Sequence, residues 1–205
     1  MTAFSAQRVL AVAAHPDDNE IGCGASLSRF LREGAEVYVV SACDCGDIAT
    51  GAPLSEWEAA MAVFSPTRFA NLGMRNRHLG EQGDELRSKL AAIEREFRPD
   101  LVFTHSNHDL HQDHAACRLD VERVFRDRTL LGFVSHRSSR HFDPSVWLRV
   151  EPEDVARQIE SLRQYRSQLT KDYFVPAELE AAARLRGREV NVPLAEAFET
   201  IRIVG

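Results

Sequence analysis

Residues 8–42 read RVLAVAAHPDDNEIGCGASLSRFLREGAEVYVVSA. Residues 8–14 are a short apolar run that ends in the polar turn His15-Pro16-Asp17-Asp18-Asn19-Glu20. Such a run suits a parallel strand buried on both faces. From residue 25 to 33 the apolar Leu27, Phe30 and Leu31 fall at helical spacing, and Gly34 follows as a C-terminal stop. Residues 36–42 read as a second strand. Strand, loop, helix and strand in this order seed a parallel sheet with a right-handed crossover.

The chain continues in the same alternation. Helices are predicted over residues 54–64, 86–97 and 115–125, and strands over 68–72, 101–104, 130–135 and 146–150. Leu86, Leu90, Ile93 and Phe97 mark one helix face, and Pro99 closes that helix. Residues 152–164 and 177–186 read as helices, although strand and helix stop alternating after residue 140. No repeat, low-complexity tract or linker interrupts the chain. Its 205 residues are enough to bury a sizeable core, so residues 1–205 are expected to form a single three-layer α/β domain.

The 25 Lys and Arg against 31 Asp and Glu leave a formal net charge of −6, which argues against an electrostatic nucleic-acid binder. A composition 44% hydrophobic and 27% charged excludes global disorder. Four cysteines, Cys23, Cys43, Cys45 and Cys117, are too few for a disulfide scaffold. No basic head precedes an apolar stretch near residue 1, and no run approaches the ~20 apolar residues of a membrane span. The expectation is a cytoplasmic chain with reduced thiols and no membrane span. Oligomeric state is not legible, and a homo-oligomer stays open.

The chemistry concentrates in two polar loops after predicted strands, where open α/β sheets bind ligands. The first holds His15, Asp17 and Asp18; the second holds His105, His108, Asp109, His111, Asp113 and His114. Three protein ligands plus a water make a catalytic zinc site, with imidazole and carboxylate as donors. His15 and Asp18 are three residues apart, a spacing that brings both to one ion on a helical turn. His111 and His114 share that spacing: one completes the metal triad and the other is free for substrate. Asp17, between two candidate ligands, is placed to take a proton from a water whose pKa a zinc ion lowers to ~7. Asp109 or Asp113 can orient a histidine from behind.

AHPDDNEIGCG at residues 14–24, with HSNHDLHQDH at 105–114, resembles the PIG-L / LmbE-like zinc-dependent deacetylases, whose paired motifs are His-Pro-Asp-Asp and His-x-Asp-His. Tyr165-Arg166-Ser167-Gln168, Arg186-Gly187 and residues 195–199 (AEAFE) are similar to segments of bacterial members. The resemblance implies a Rossmann-like α/β/α fold with a mostly parallel central sheet. It implies zinc held by His15, Asp18 and His114, Asp17 as general base, and His111 stabilising the oxyanion as an imidazolium or hydrogen-bond donor. It implies removal of an acetyl group from an N-acetylated amino sugar of the N-acetylglucosaminyl type, or its conjugate. Iron(II) or another divalent ion suits the same donors. Ser55 stands where members often carry a substrate-contacting arginine three residues before a glutamate, and Leu194 where a tyrosine is common. These departures touch the sugar contacts and leave a zinc amidohydrolase for a non-sugar N-acyl substrate as the alternative. A sugar-binding module without catalysis is the third reading.

The remaining features read more plainly. Gly22 and Gly24 lack the third glycine of a dinucleotide fingerprint and are expected to make a tight turn. Cys43 and Cys45 are expected to be loop thiols, and Cys23 and Cys117 small core residues. His105 and His108 are expected to shape the loop or its rim. Asp109 is expected to bond the loop or orient His111. Trp57 and Trp147 are expected in the core or at its rim, Arg184, Arg186 and Arg188 on a solvated helix face. Arg75 and Arg77 are loop residues, candidates for an anionic substrate group, and residues 137–145 are a candidate rim or lid.

Overall fold

The structure, a computed structural model, describes residues 5–46, 52–171 and 175–205. The elements run β1 (Arg8–Ala13), α1 (Asp18–Arg32), β2 (Glu36–Asp44), α2 (Leu54–Phe64), β3 (Arg68–Arg75), α3 (Gly83–Phe97), β4 (Leu101–His105), α4 (Gln112–Val124), β5 (Thr129–Phe133), β6 (Val146–Arg149), α5 (Pro152–Leu162), α6 (Pro176–Glu189) and β7 (Ala195–Arg202). They build a seven-stranded sheet in the order β3-β2-β1-β4-β5-β7-β6. The first five strands are parallel, and β7 runs antiparallel to both β5 and β6. The expected α/β architecture with a mostly parallel sheet is present.

The apolar run of β1 has the two-sided burial that its composition demands. Val9, Ala11 and Ala13 join the core beneath α1 and α2, and Leu10, Val12 and Ala14 join the core beneath α3 and α4. All six are 0% exposed. Burying aliphatic side chains of this size contributes about 1.5–3 kcal/mol each for the larger ones, before the entropy of ordering the strand is subtracted.

Several boundaries differ from the sequence expectation; β3 runs on to Arg75, so Arg75 is a strand residue and not a loop residue. Helix α1 begins at Asp18, seven residues earlier than expected, and is broken at Cys23, where φ is −148° and ψ 16°. Just past the break the amides of Ala25 and Ser26 both donate to the Glu196 carboxylate, at 3.1 and 2.6 Å. The carboxylate caps the second half of the helix from a distant strand. Cys43 lies within β2, not in a loop, and is buried. Of the loop expected over 43–53, residues 47–51 lie outside the described residues. Strand β7 is not legible as a strand in the sequence, because its alternation of Ala, Phe and Glu is short and carries few β-branched residues.

The sheet order reverses between β1 and β4. Strand β2 continues on one side of β1, whereas β4 and β5 continue on the other. Loops leaving the carboxyl ends of β1 and β4 therefore diverge and open a crevice between them, the usual ligand position in such sheets. Both histidine-bearing loops sit there. Gly22 permits the close packing beneath: a Cβ at this position would stand 2.2 Å from the Phe133 ring.

Candidate metal centre and catalytic site

His15 follows β1, and Asp18 is the first residue of α1. The Asp18 carboxylate accepts the backbone N–H of His15 at 2.9 Å, which folds the turn back on itself. On the second loop, His111 is the N-cap of α4, and its Nδ1 accepts the backbone N–H of Asp113 at 3.2 Å. His114 stands one turn into that helix.

Three atoms from these elements converge. His15 Nδ1 lies 3.2 Å from Asp18 Oδ2 and 3.1 Å from His114 Nε2, and the last two are 3.3 Å apart. A tetrahedral ion with bonds of about 2.0–2.2 Å places its ligand atoms about 3.3–3.6 Å apart. The remaining ring nitrogens are engaged by carboxylates. His15 Nε2 is 3.2 Å from Asp113 Oδ2, and His114 Nδ1 is 2.7 Å from Asp109 Oδ2. Carboxylates only accept, so those two nitrogens carry protons, and with an ion bound the converging pair would turn their lone pairs to it. Both carboxylates are the kind of outer partner that fixes a histidine ligand's tautomer and orientation. The donor set and its spacing thus fit a divalent ion.

The electrostatics agree. Burial disfavours charge on His15 and His114, yet the surrounding carboxylates outweigh it. His15 rises to about 9 through Asp113 and Asp18, and His114 to about 10 through Asp18 and Asp109. Burial would raise Asp109 and Asp113, but hydrogen bonds from His114 and His15 respectively, with backbone amides, hold both below the usual range. This is a pocket that requires positive charge, from protons or from a metal ion. Burial, followed by the Asp18 and Glu20 carboxylates, pushes Asp17 well up. Burial and the neighbouring His114 and His15 push His111 down, so it is a neutral ring. With Nδ1 accepting from Asp113, its proton sits on Nε2.

Other residues meet their expectations unevenly. His105 is 0% exposed. Its Nε2 accepts the Ala14 amide at 2.9 Å, and its ring stacks on His114 with centroids 3.9 Å apart. Its lone pair is used, so it supports His114 and does not compete for an ion. Among the described residues three other groupings are close enough to hold one: Asp18 with His105 and His114, His15 with His111 and His114, and His15 with Cys43 and Asp113. Asp113 is already spent on His15 and on the amides of Arg77 and Leu79, at 2.6 and 3.1 Å. Asp109 orients His114, not the His111 ring; from His111 it accepts only the backbone amide, at 3.0 Å. Arg75 turns away to pair with Glu81 at 2.6 Å. Arg77, held at φ 67° by the bond to Asp113, lines the crevice. His108 pairs with Glu199 at 2.9 Å. Glu199 also accepts the amides of Asn107 and Asp143, tying the second loop to residues near 143.

The crevice is a cavity of about 860 Å³. His15, Asp17, Asp18, His111 and His114 line one end, Asn76, Arg77 and residues 135–138 the rim, and Ile21, Leu162, Leu179 and Ala182 an apolar wall. Gln168, Lys171 and Glu178 add polar groups to the lining. Gln168, Tyr165 and Glu20 are not legible as site residues in the sequence. The Tyr165-Arg166-Ser167-Gln168 segment is the available signal, but nothing in its spacing points to the first loop. No helix among the described residues is long and apolar enough to cross a membrane.

Comparison with known proteins places this geometry. The chain is 26% identical to the "uncharacterized deacetylase YaiS" of Escherichia coli K12 over 78% of its length and 90% of that protein's. It is 28% identical to the 1D-myo-inositol 2-acetamido-2-deoxy-alpha-D-glucopyranoside deacetylase of Thermobifida fusca, over 58% of the chain and 54% of that protein. It thus spans about half the length of that second relative. The conserved protein TT1542 of Thermus thermophilus superimposes with a TM-score of 0.79 and 27% identity, over 97% of this chain and 96% of that one. Residues 10–125, more than half of the chain and the part that holds both loops, match the model of PIG-L, the GlcNAc-PI de-N-acetylases. The chain belongs to the PIG-L family.

Proposed function

We propose that this chain is a metal-dependent amide hydrolase that removes the acetyl group from an N-acetylated amino sugar of the N-acetylglucosaminyl type, or its conjugate. One observation carries the reading: the lone-pair atoms of His15, Asp18 and His114 converge at the end of a cavity whose wall also holds Asp17 and His111. These three residues would hold the ion, zinc in the first instance, with iron(II) accepted by the same donors. When bound, the ion supplies Lewis-acid polarisation of the amide carbonyl and lowers the pKa of a water. Asp17 takes the proton of the attacking water and passes it to the amine nitrogen as the C–N bond breaks. His111 donates its Nε2–H to the carbonyl oxygen as negative charge develops there, the stage at which a donor accelerates the reaction. Asp109 and Asp113 keep His114 and His15 in register. Arg77 meets polar or anionic groups of the substrate beyond the acetamide.

The family, and the acetamido-sugar deacetylase among the relatives, support the sugar reading. Ser55 in place of an arginine, together with the apolar wall of Ile21, Leu162 and Leu179, favours a second reading, a non-sugar N-acyl amide. Acetate release from N-acetyl sugars, N-acetyl amino acids and N-formyl compounds, measured with zinc supplied, separates the two. Activity only on non-sugars overturns the first reading, and binding without release favours a non-catalytic module. Asp17→Ala is expected to abolish turnover and retain metal; near-wild-type rates would refute the base assignment.

A further inference from the structure

Gln168 lines the cavity although the residue is only 1% exposed. It sits in the turn after α5, where its amide donates to the Tyr165 carbonyl and its own carbonyl accepts the Lys171 amide, both at 2.9 Å. The start of this turn is fixed by the Tyr165 hydroxyl, which bonds the buried Glu20 carboxylate. Its middle is fixed by Ser167, whose amide and hydroxyl donate to the two oxygens of Glu56 in α2 at 2.9 and 2.6 Å.

These bonds decide which way the Gln168 side-chain amide points. A carboxylate only accepts, so Ser167 spends its one hydroxyl proton on Glu56. Ser167 Oγ can then only accept, and the atom that faces it at 2.7 Å is Gln168 Nε2. The oxygen, Oε1, is the end left over. Among the described residues it receives no hydrogen bond, yet it is not sealed from solvent. An acceptor held in one orientation on a buried side chain, with its accessible remainder in a cavity, is placed to meet a donor on a ligand.

We propose that Gln168 is a specificity-determining residue: its Oε1 accepts a hydroxyl of the substrate and so selects hydroxylated N-acyl compounds over apolar ones. This selection rests on the reading of the cavity as the place of amide cleavage, and it adds the class of leaving amine, a polyol and not a hydrocarbon. The apolar residues Ile21, Leu162, Leu179 and Ala182 favour any ligand with a hydrocarbon face, a sugar ring included, and discriminate little. A fixed acceptor discriminates more, because a ligand that covers it without offering a donor leaves it unpaired. A carboxylate of the ligand in that position is rejected as well, since it also only accepts.

The test uses the full chain reconstituted with zinc and two compounds, the methyl glycoside of N-acetylglucosamine and N-cyclohexylacetamide. Both carry an acetamide on a six-membered ring, and only the first carries hydroxyls. Gln168→Met keeps the length of the side chain and removes the acceptor. It is expected to lower the preference for the glycoside, as the ratio of kcat/KM values, about 10–100-fold, with metal per chain unchanged. Among the 3-, 4- and 6-deoxy glycosides, one is expected to be a poorer substrate for the wild type and to be no poorer than the parent for Gln168→Met. Ser167→Ala, which frees the amide to turn, is expected to lower the preference by a smaller factor, and it decides the matter if Gln168→Met does not fold. An unchanged preference, or an equal loss on both compounds, would overturn the assignment. If the wild type cleaves neither compound, the functional reading falls, and the Kd of both compounds, measured by calorimetry on the same proteins, still judges Gln168. A preference for the glycoside that Gln168→Met loses supports the assignment, and the lack of one overturns it.

Discussion

Replacing Asp109 by Asn removes one charge and almost no volume. In the structure Asp109 Oδ2 meets His114 Nδ1 at 2.7 Å while Oδ1 accepts the His111 amide at 3.0 Å. An asparagine has one acceptor oxygen, so it can serve one of these donors and turns its own NH₂ toward the other. The 2.7 Å contact is in the range of charge-assisted bonds, worth about 1.5–3 kcal/mol. At about 1.4 kcal/mol per tenfold, that loss weakens metal binding about 10–100-fold, the same scale as outer partners of metal-bound histidines elsewhere. Competition against a chromogenic chelator at fixed pH reads the zinc Kd of both proteins directly. Thermal melts with and without zinc give a second reading, because the stabilisation by metal shrinks as Kd rises. A Kd within about twofold of wild type would refute the assignment of Asp109 as the group that orients His114, and with it the argument that selects His114 Nε2 as a ligand atom.

Further outcomes follow from the same geometry. His111→Ala is expected to lower kcat about 10²–10³-fold with metal retained, as loss of a single oxyanion donor does; a change in KM alone would assign it to substrate binding instead. Gly22→Ala places a methyl group against the Phe133 ring and is expected to destabilise by about 1–3 kcal/mol, a fall of about 2–12 °C in Tm; an unchanged Tm would show that the ring gives way freely. Burial raises the Glu196 carboxyl from 4.5 to about 7. A carboxyl with a higher pKa folded than unfolded binds more protons in the folded state. Its stabilising contribution is therefore full below pH 4.5 and is lost as pH rises through about 7. Glu196→Gln is expected to flatten the decline in stability between about pH 5 and 8 that urea titrations record, and an unchanged slope would show that Glu196 titrates normally.

The sequence by itself determined the parallel half of the fold and the composition of the site. An apolar run bounded by a polar turn, followed by helical spacing and a second run, has few ways to bury itself other than a β-α-β unit. Histidine and aspartate at three-residue spacing after two such strands carry their chemistry locally, which is why His15, Asp18, His111 and His114 are legible as a group. Tertiary structure decided what depends on partners distant in sequence. It brought the two loops together where the sheet order reverses, and it divided Asp109 and Asp113 between His114 and His15. It broke α1 at Cys23, with Glu196 capping the second half, and it made β7 a strand through pairing with β5 and β6. It also set the Tyr165 hydroxyl on the buried Glu20 carboxylate. A hydrogen bond between residues so far apart leaves no periodicity in the chain, and a buried tyrosine reads as an ordinary core residue until the fold supplies its partners.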